Sequence, residues 1–369
     1  MDETKQKLLT MATLLESLPP ARPAELHATS IAKTISGKHV LATTIGRGQA
    51  AITLAETQPE VNVSLWFHDQ YQQQLLVRAL QELPTQLRLY CEADPPPSSH
   101  GGQYDLAILP FFKSGEAEFT RDVLQSAFQS LAIGGHLVSA IDNPNDKWLR
   151  SQLAATGETV RVRPDSSEKP TTVCYILQKT RPSRKVRDFT SKVVFRDGER
   201  LLTAITRPGV FAHRRIDPAA RHLLNAVDLA SGAHVLEIGC GSGCVSLGLA
   251  ARDPSIDVYA IDSSARAVSC LQQSAAENEL FNITASLEAQ GAVPDPGCYD
   301  LVLANPPYYS DFRIAEMFVE SARAALAPGG TLLLVTKQPV WYLEQLPGTW
   351  NDVAHELVKG YHLIEAVRP

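Results

Sequence analysis

The sequence of 369 residues contains six cysteines (Cys91, Cys174, Cys240, Cys244, Cys270 and Cys298), with no C-x-x-C pair among them. That spacing indicates neither a disulfide framework nor a zinc site, and it fits a reducing compartment. No apolar run approaches the roughly 18 residues that a membrane-spanning helix needs. The N-terminal stretch up to Pro20 is polar and amphipathic and has no apolar centre of the kind a secretory signal carries. No Ser/His/Asp arrangement or cluster of metal ligands stands out, and His213, His222 and His234 read as surface or structural residues. A basic excess is missing too, since the formal net charge is −6. These absences predict a cytoplasmic protein with no membrane partner and no bound metal. What remains is 44% hydrophobic and 20% charged, the balance of a globular chain long enough for two domains, each with its own core.

The charge is unevenly spread. From Arg181 to Arg215 there are ten Lys or Arg against three acids, so this segment carries +7 and the rest of the chain −13. A solvated linker and hairpin would account for it, and so would a strip that contacts phosphates. Within it, Asp197-Gly198 lies between alternating apolar arms, a strong hairpin signal.

One design occurs twice, displaced by 195 residues. HVLATTIGRGQAAITLAE (39–56) matches HVLEIGCGSGCVSLGLAA (234–251), and Val63 matches Val258. Tyr104-Asp105-Leu106 matches Tyr299-Asp300-Leu301, and Gly134-Gly135 matches Gly329-Gly330. Several anchors at one constant offset predict an internal repeat. In each half, β-rich runs alternate with helical patterns, which predicts mostly parallel sheets flanked by helices. Strands are expected near 233–238, 257–261, 282–286, 299–304 and 330–336, with helices near 217–229, 243–252, 264–278 and 311–326. The tail from Trp341 to Arg368 is expected to supply the last strands. The domain division predicted is 1–180, a basic linker at 181–190, and 191–369.

The halves differ where a ligand would be held. Glu237 aligns with Ala42, Gly239 with Thr44, Asp262 with Phe67 and Asn305 with Pro110. Gly239, Gly241 and Gly243 let the chain turn sharply after the first strand and admit a ligand against bare main chain. The spacing is G-x-G-x-G, not the dinucleotide pattern G-x-G-x-x-G, and an acid two residues earlier would repel a pyrophosphate. A ligand with a positive amine or sulfonium suits Glu237 better. Asp262, ending the second strand, is placed for both hydroxyls of a ribose. Asn305-Pro306-Pro307-Tyr308 follows the apolar run Leu301–Ala304 directly. Two prolines stiffen this turn and free its carbonyls. The tetrad reads either as a strand-ending turn or as a clamp, offering acceptors to an NH2 group and an aromatic face to a flat ring.

Taken together, these residues resemble class I S-adenosyl-L-methionine-dependent methyltransferases. More narrowly, the chain resembles the two-domain bacterial ribosomal RNA (guanine-N2)-methyltransferases. The resemblance extends to Pro208-Gly209-Val210-Phe211 and to Ile216-Asp217 ahead of the glycine loop, with specific motifs from about 207 to 337. Two departures stand out. The family's G-V-F-S-x-D-x-L-D segment reads GVFAHRRID here, and its frequent N-P-P-Phe ends in Tyr308. The resemblance implies two tandem Rossmann-like domains, with a degenerate copy at 1–180 and a catalytic one at 191–369. It implies that Glu237 and the loop of Gly239, Gly241 and Gly243 hold the methionine part of S-adenosyl-L-methionine and that Asp262 holds its ribose. Ser263 and Leu287 would border the adenine, and Phe211 would close over the cofactor. Asn305, Pro306, Pro307 and Tyr308 would hold the exocyclic amine of an accessible base in ribosomal RNA or a ribosomal subunit, with the 181–215 strip touching phosphates. Adenine-N6 or protein glutamine-N5 methylation would use the same tetrad. A non-catalytic RNA-binding assembly factor could keep the fold alone.

Overall fold

Short β-rich runs separated by helices leave each half of the chain one economical way to cover both faces of its strands: a largely parallel sheet with helices on both sides. The computed structural model describes residues 21–80, 82–98, 101–183, 185–307 and 312–369. The chain divides between Phe189 and Thr190 into two units.

The first unit runs α1 (Pro23–Ala32), β1 (His39–Ala42), α2 (Gln49–Thr57), β2 (Asn62–Phe67), α3 (Gln70–Ala79), β3 (Leu87–Cys91), β4 (Tyr104–Phe111), α4 (Ala117–Ser130), β5 (Leu131–Ile141), α5 (Trp148–Ala154), β6 (Arg161–Pro164) and β7 (Val173–Gln178). Its sheet order is β3-β2-β1-β4-β5-β7-β6. The second unit opens with the hairpin β8 (Ser191–Asp197) and β9 (Arg200–Thr206). It continues α6 (Pro218–Ala226), β10 (His234–Ile238), α7 (Cys244–Arg252), β11 (Asp257–Asp262), α8 (Ala265–Glu277), β12 (Ile283–Leu287), β13 (Tyr299–Ala304), α9 (Arg313–Ala325) and β14 (Leu326–Thr336), then α10 (Val340–Gln345), β15 (Asn351–Val358) and β16 (Tyr361–Val367). Its sheet order, β12-β11-β10-β13-β14-β16-β15, repeats the first.

The offset of the repeat is held residue by residue. Val40 lies opposite Val63 and Leu106, and Val235 opposite Val258 and Leu301. The register shift between Tyr104 and Leu106 recurs between Tyr299 and Leu301. The repeated Tyr-Asp-Leu has a structural cause. The Asp105 carboxylate accepts the His39 N–H at 3.0 Å, and Asp300 accepts the His234 N–H at 2.8 Å, so each aspartate pins the start of its unit's first strand.

Sequence and structure part company mainly after β13. The strand expected from 330 starts at Leu326, because Leu326 already pairs with Tyr299 ahead of the bulge. The tail first forms α10, and its strands run antiparallel, β14 to β16 and β16 to β15. A two-residue turn makes that possible, with Lys359 at φ 49° and Gly360 at φ 83°, the positive angles a tight hairpin demands. On one face of the second sheet, Leu223, Leu247 and Leu271 cover Val258 and Leu303. On the other, Phe318, Ala322 and Tyr342 cover Leu236 and Val302.

The β8–β9 hairpin docks through side chains. Asn278 of α8 brackets the Thr203 backbone, accepting its N–H at 2.9 Å and donating to its carbonyl at 2.7 Å. Arg252 forks onto Asp197 at 2.8 and 3.0 Å, fixing the predicted Asp197-Gly198 turn against α7. In the sheet, β10 is an interior strand, with parallel β11 and β13 on either side. Chain progress reverses at β10, and ligands of open α/β sheets sit beyond the carboxyl ends of the strands at such a point.

Candidate active site

Register places the candidate residues side by side. Ile238 pairs with both Ile261 and Ala304, so Gly239, Asp262 and Asn305 each follow directly on three neighbouring strands. Parallel strands lie about 4.8 Å apart, which puts all three on one rim.

The glycine loop folds back over β11. The N–H groups of Gly239 and Cys240 both donate to the Ile261 carbonyl, at 2.8 and 3.2 Å. Gly239, Gly241 and Gly243 have φ of 77°, 50° and 74°. At Gly243, the N-cap of α7, a Cβ would stand 2.7 Å from Cδ1 of the buried Leu271. Gly243→Ala is therefore expected to cost about 1–3 kcal/mol from left-handed backbone and overpacking together, read as a lowered melting temperature.

Two acids face this loop. Glu237 is 5% exposed, and its Oε2 accepts the Ser246 N–H at 3.0 Å and, in a short bond, the Ser246 hydroxyl. Burial pushes the Glu237 carboxyl up to about 8, with the charge of nearby Asp262 adding to the rise and the Ser246 bonds opposing it. Among the described residues no cation pairs with Glu237, so an arriving positive group would be stabilised there. Asp262 accepts the Gly241 N–H at 2.8 Å on one oxygen and the Ser264 N–H at 2.8 Å on the other. A carboxylate has about four acceptor sites, and this one stands at the strand end where a ribose would meet it. A buried acid lacking a cation among the described residues, a loop with glycine at every other position and a strand-end aspartate fit a ligand carrying an amine, a sulfonium and a ribose. Cys240 and Cys244 are buried, and burial holds the Cys244 thiol at about 11, so both are packing residues.

Leu287 ends β12 opposite Asp262, and Ser263 lies between Asp262 and the Ser264 that caps α8. Phe211 is 61% exposed and lies against Gly241, where a Cβ would meet its side chain at 3.6 Å. The segment carrying Phe211 is anchored below. Arg266, 1% exposed, donates to the Pro208 carbonyl at 2.6 Å, and Val210 packs on Ala267 and Cys270. Ala212 and Arg214 take φ of 59° and 67°, backbone strain of a kind that gathers at ligand sites.

Asn305 is half-buried, Pro306 buried and Pro307 half-buried. The Asn305 Nδ2 donates to Asp217 Oδ2 at 3.0 Å. Tyr308 lies outside the described residues. The structure thus gathers Glu237, the three glycines, Asp262, Asn305 and Phe211 around one rim, with Ser263 and Leu287 at its β12 side. Sequence reasoning gave no role to Ser246 or Asp217. The repeat carried the signal for both: Ser246 aligns with Ala51 and Asp217 with Arg22, so each is absent from the first copy together with its partner.

In the first unit the corresponding loop is satisfied from within. Thr44, standing where Gly239 stands, accepts the N–H groups of Gly46 at 3.0 Å and Gly48 at 2.8 Å. Glu25, fully buried, accepts the Thr44 hydroxyl at 3.0 Å and the Gln49 N–H at 2.6 Å. In the second unit the matching N–H groups have other acceptors, Asp262 for Gly241 at 2.8 Å and the Cys240 carbonyl for Gly243 at 2.8 Å.

Comparison with known proteins finds likenesses in sequence and in fold. Residues 201–364 match the family model of the methyltransferase small domain. The ribosomal RNA small subunit methyltransferase C of Pseudomonas entomophila is 30% identical over 172 residues, covering 45% of this chain and 51% of that protein. Its Chromohalobacter salexigens counterpart is 31% identical over 179 residues, covering 45% and 52%. The chain thus spans about half the length of these relatives. The Haemophilus influenzae protein of the same name is 26% identical over 256 residues, covering 68% of this chain and 75% of its own length. Among solved structures, the T. thermophilus 16S rRNA N2 G1207 methyltransferase in complex with AdoMet and guanosine superposes with a TM-score of 0.73 at 22% identity, covering 95% of this chain and 94% of that one. The shared fold therefore runs through both units.

Proposed function

We propose that this chain, whose residues 201–364 match the methyltransferase small domain, methylates the exocyclic N2 amine of a guanine in ribosomal RNA. The observation that carries the reading is the alignment of Gly239, Asp262 and Asn305 on one rim, with a buried, cation-free carboxylate at Glu237 beneath it. Glu237 and the glycine loop would hold the amino-acid end of S-adenosyl-L-methionine and Asp262 its ribose, with Phe211 closing over it and Ser263 and Leu287 bordering the adenine. When bound, that cofactor supplies an electrophilic methyl group on a positively charged sulfonium.

The residues of the chain answer a specific difficulty. The guanine amine is a poor nucleophile because its lone pair is delocalised into the ring. The Asn305 side-chain carbonyl and the Pro306 backbone carbonyl would each accept one N–H. That aims the lone pair along one line and stabilises positive charge as it develops on nitrogen. Tyr308 would stack on the base, worth roughly 1–3 kcal/mol. Holding both reactants in line removes much of the entropic barrier. No base is needed beforehand, since the alkylated nitrogen is acidic and loses its proton to solvent. A paired base would be out of reach, so the target is an unpaired or flipped-out nucleotide.

In the first unit Glu25 and Thr44 support its role as a degenerate copy, structural or substrate-recognising. The exposed Lys192, Arg196 and Arg200 on the β8–β9 hairpin belong to the basic 181–215 strip and suit contact with phosphates. Among the described residues no helix is long and apolar enough to cross a membrane. The reading places the protein in the cytoplasm, with its RNA.

Incubation with methyl-labelled cofactor and, separately, naked ribosomal RNA, ribosomal subunits and release factors tests this. Label recovered as N2-methylguanine is the expected result. Label in N6-methyladenine or in glutamine would overturn the choice of acceptor, and no transfer to any of them would overturn the enzyme.

A further inference from the structure

A side-chain amide is a two-pronged fork of nearly equal arms, one an acceptor and the other a donor. Rotating it by half a turn exchanges them. As a clamp for an amine, Asn305 works in only one of the two orientations, with its carbonyl toward the substrate. Something must choose, and the half-buried Asn305 lies 3.0 Å from the Asp217 carboxylate. A carboxylate accepts and does not donate, so only the NH2 arm can face it. The carbonyl then lies on the other arm of the same planar group. We infer that Asp217 is a positioning residue that locks Asn305 in its acceptor orientation and so sets the preference of the site for a base bearing an exocyclic amine. The inference rests on the amine-clamp reading above.

Two further observations bear on it. Asp217 is itself immobilised, since its Oδ2 also accepts the Ala220 N–H at 3.1 Å as the N-cap of α6, and Pro218 fixes the next φ. The repeat separates capping from positioning. In the first unit the N-cap of the matching helix α1 is Arg22, which makes no capping bond, and Asp142 takes the Ala24 N–H instead at 2.8 Å. There the helix start is met from elsewhere, and the carboxylate and the amide are both absent, with Arg22 and Pro110 at the aligned positions.

The test compares guanosine with inosine, which lacks only the 2-amine, by equilibrium binding to the full chain. Asp217→Asn keeps an N-cap acceptor yet can donate as well, so Asn305 is no longer held to one orientation. The wild-type protein is expected to prefer guanosine by about tenfold, the discrimination that one net hydrogen bond supplies. In Asp217→Asn that ratio is expected to fall toward unity, with melting temperature and S-adenosylhomocysteine affinity unchanged and with kcat on RNA reduced more than KM altered. A wild-type preference that survives in Asp217→Asn, or an Asp217→Ala protein that melts earlier yet keeps the ratio, would leave Asp217 a helix cap and overturn the inference. A wild-type protein indifferent to the 2-amine would overturn the amine clamp itself, and the inference with it.

Discussion

Asn305→Ala lowers the rate of methyl transfer by about 10²–10³-fold, the loss typical of removing one preorganised group that stabilises a transition-state charge, while cofactor affinity stays within a few-fold. The separation follows from strand order. Asn305 extends β13, whereas Glu237 and the glycine loop belong to β10 and Asp262 to β11. Truncating the amide leaves the Gly241–Asp262 and Ser246–Glu237 hydrogen bonds in place. Nor does it open the core, because Asn305 is half-buried and Asp217 retains the Ala220 N–H. Asn305→Asp is no rescue. It keeps an acceptor but sets a second carboxylate where the amide now donates to Asp217 at 3.0 Å, and like charges at that range repel. Single-turnover transfer at saturating RNA, paired with calorimetric titration of S-adenosylhomocysteine, reads both quantities. A near-normal single-turnover rate in Asn305→Ala would remove the amide from the mechanism.

The pH dependence of cofactor affinity between pH 7 and pH 9 differs between the wild-type protein and Glu237→Gln, because about ten times more Glu237 is ionised at the upper end. Burial raises the Glu237 carboxyl to about 8, so about a tenth of the molecules are ionised there at pH 7 and about nine-tenths at pH 9. A cationic ligand amine is attracted only to the ionised form, and binding below pH 8 must expel a proton. The cofactor's own amine loses its charge over the same window, with an ordinary value of about 7.7–8.0, so the contribution of Glu237 is read as the difference between variant and wild type. The same group acts on stability in the opposite sense. Its folded value lies above the ordinary 4.5, so the native state holds the proton longer than the unfolded chain does. Stability from this residue is fully present below pH 4.5 and declines as pH rises toward 8, by on the order of a few kcal/mol. Glu237→Gln should therefore flatten the melting curve against pH over that window while weakening cofactor binding at pH 9. An identical pH slope of affinity in variant and wild type would show that Glu237 does not meet the ligand's charge.

Periodicity and the repeat made the framework legible. The helix expected at 264–278 is Ala265–Glu277, and the strand expected at 299–304 is Tyr299–Ala304. Both are bounded by strong local signals, such as Ser264 capping its helix through the Ala267 N–H. The antiparallel tail was not legible, because Lys359-Gly360 is a weaker turn signal than Asp-Gly and strand direction leaves no trace in alternation. At the site, residues whose chemistry is local to a motif stood out: glycines that need positive φ, and an acid at the end of a strand. Residues that matter through distant partners did not. Asp217 meets Asn305 across 88 positions, and Arg266 is buried to reach Pro208 across 58. An arginine in the helical stretch ARAVSCLQQ looks solvent-facing until the 207–216 segment is laid over it.

The internal bonds of Glu25 bear on how the two loops could be exchanged. That carboxylate stands at the first turn of α2 and Thr44 accepts the loop amides. An acid placed at position 42 would aim at the same helix start as Glu25 and bury a second carboxyl there. A glycine placed at position 44 would strip Glu25 of its hydroxyl partner and remove the present acceptor of the Gly46 and Gly48 N–H groups. The first loop is therefore a mutually dependent set, which substitutions toward the second loop disrupt when made one at a time.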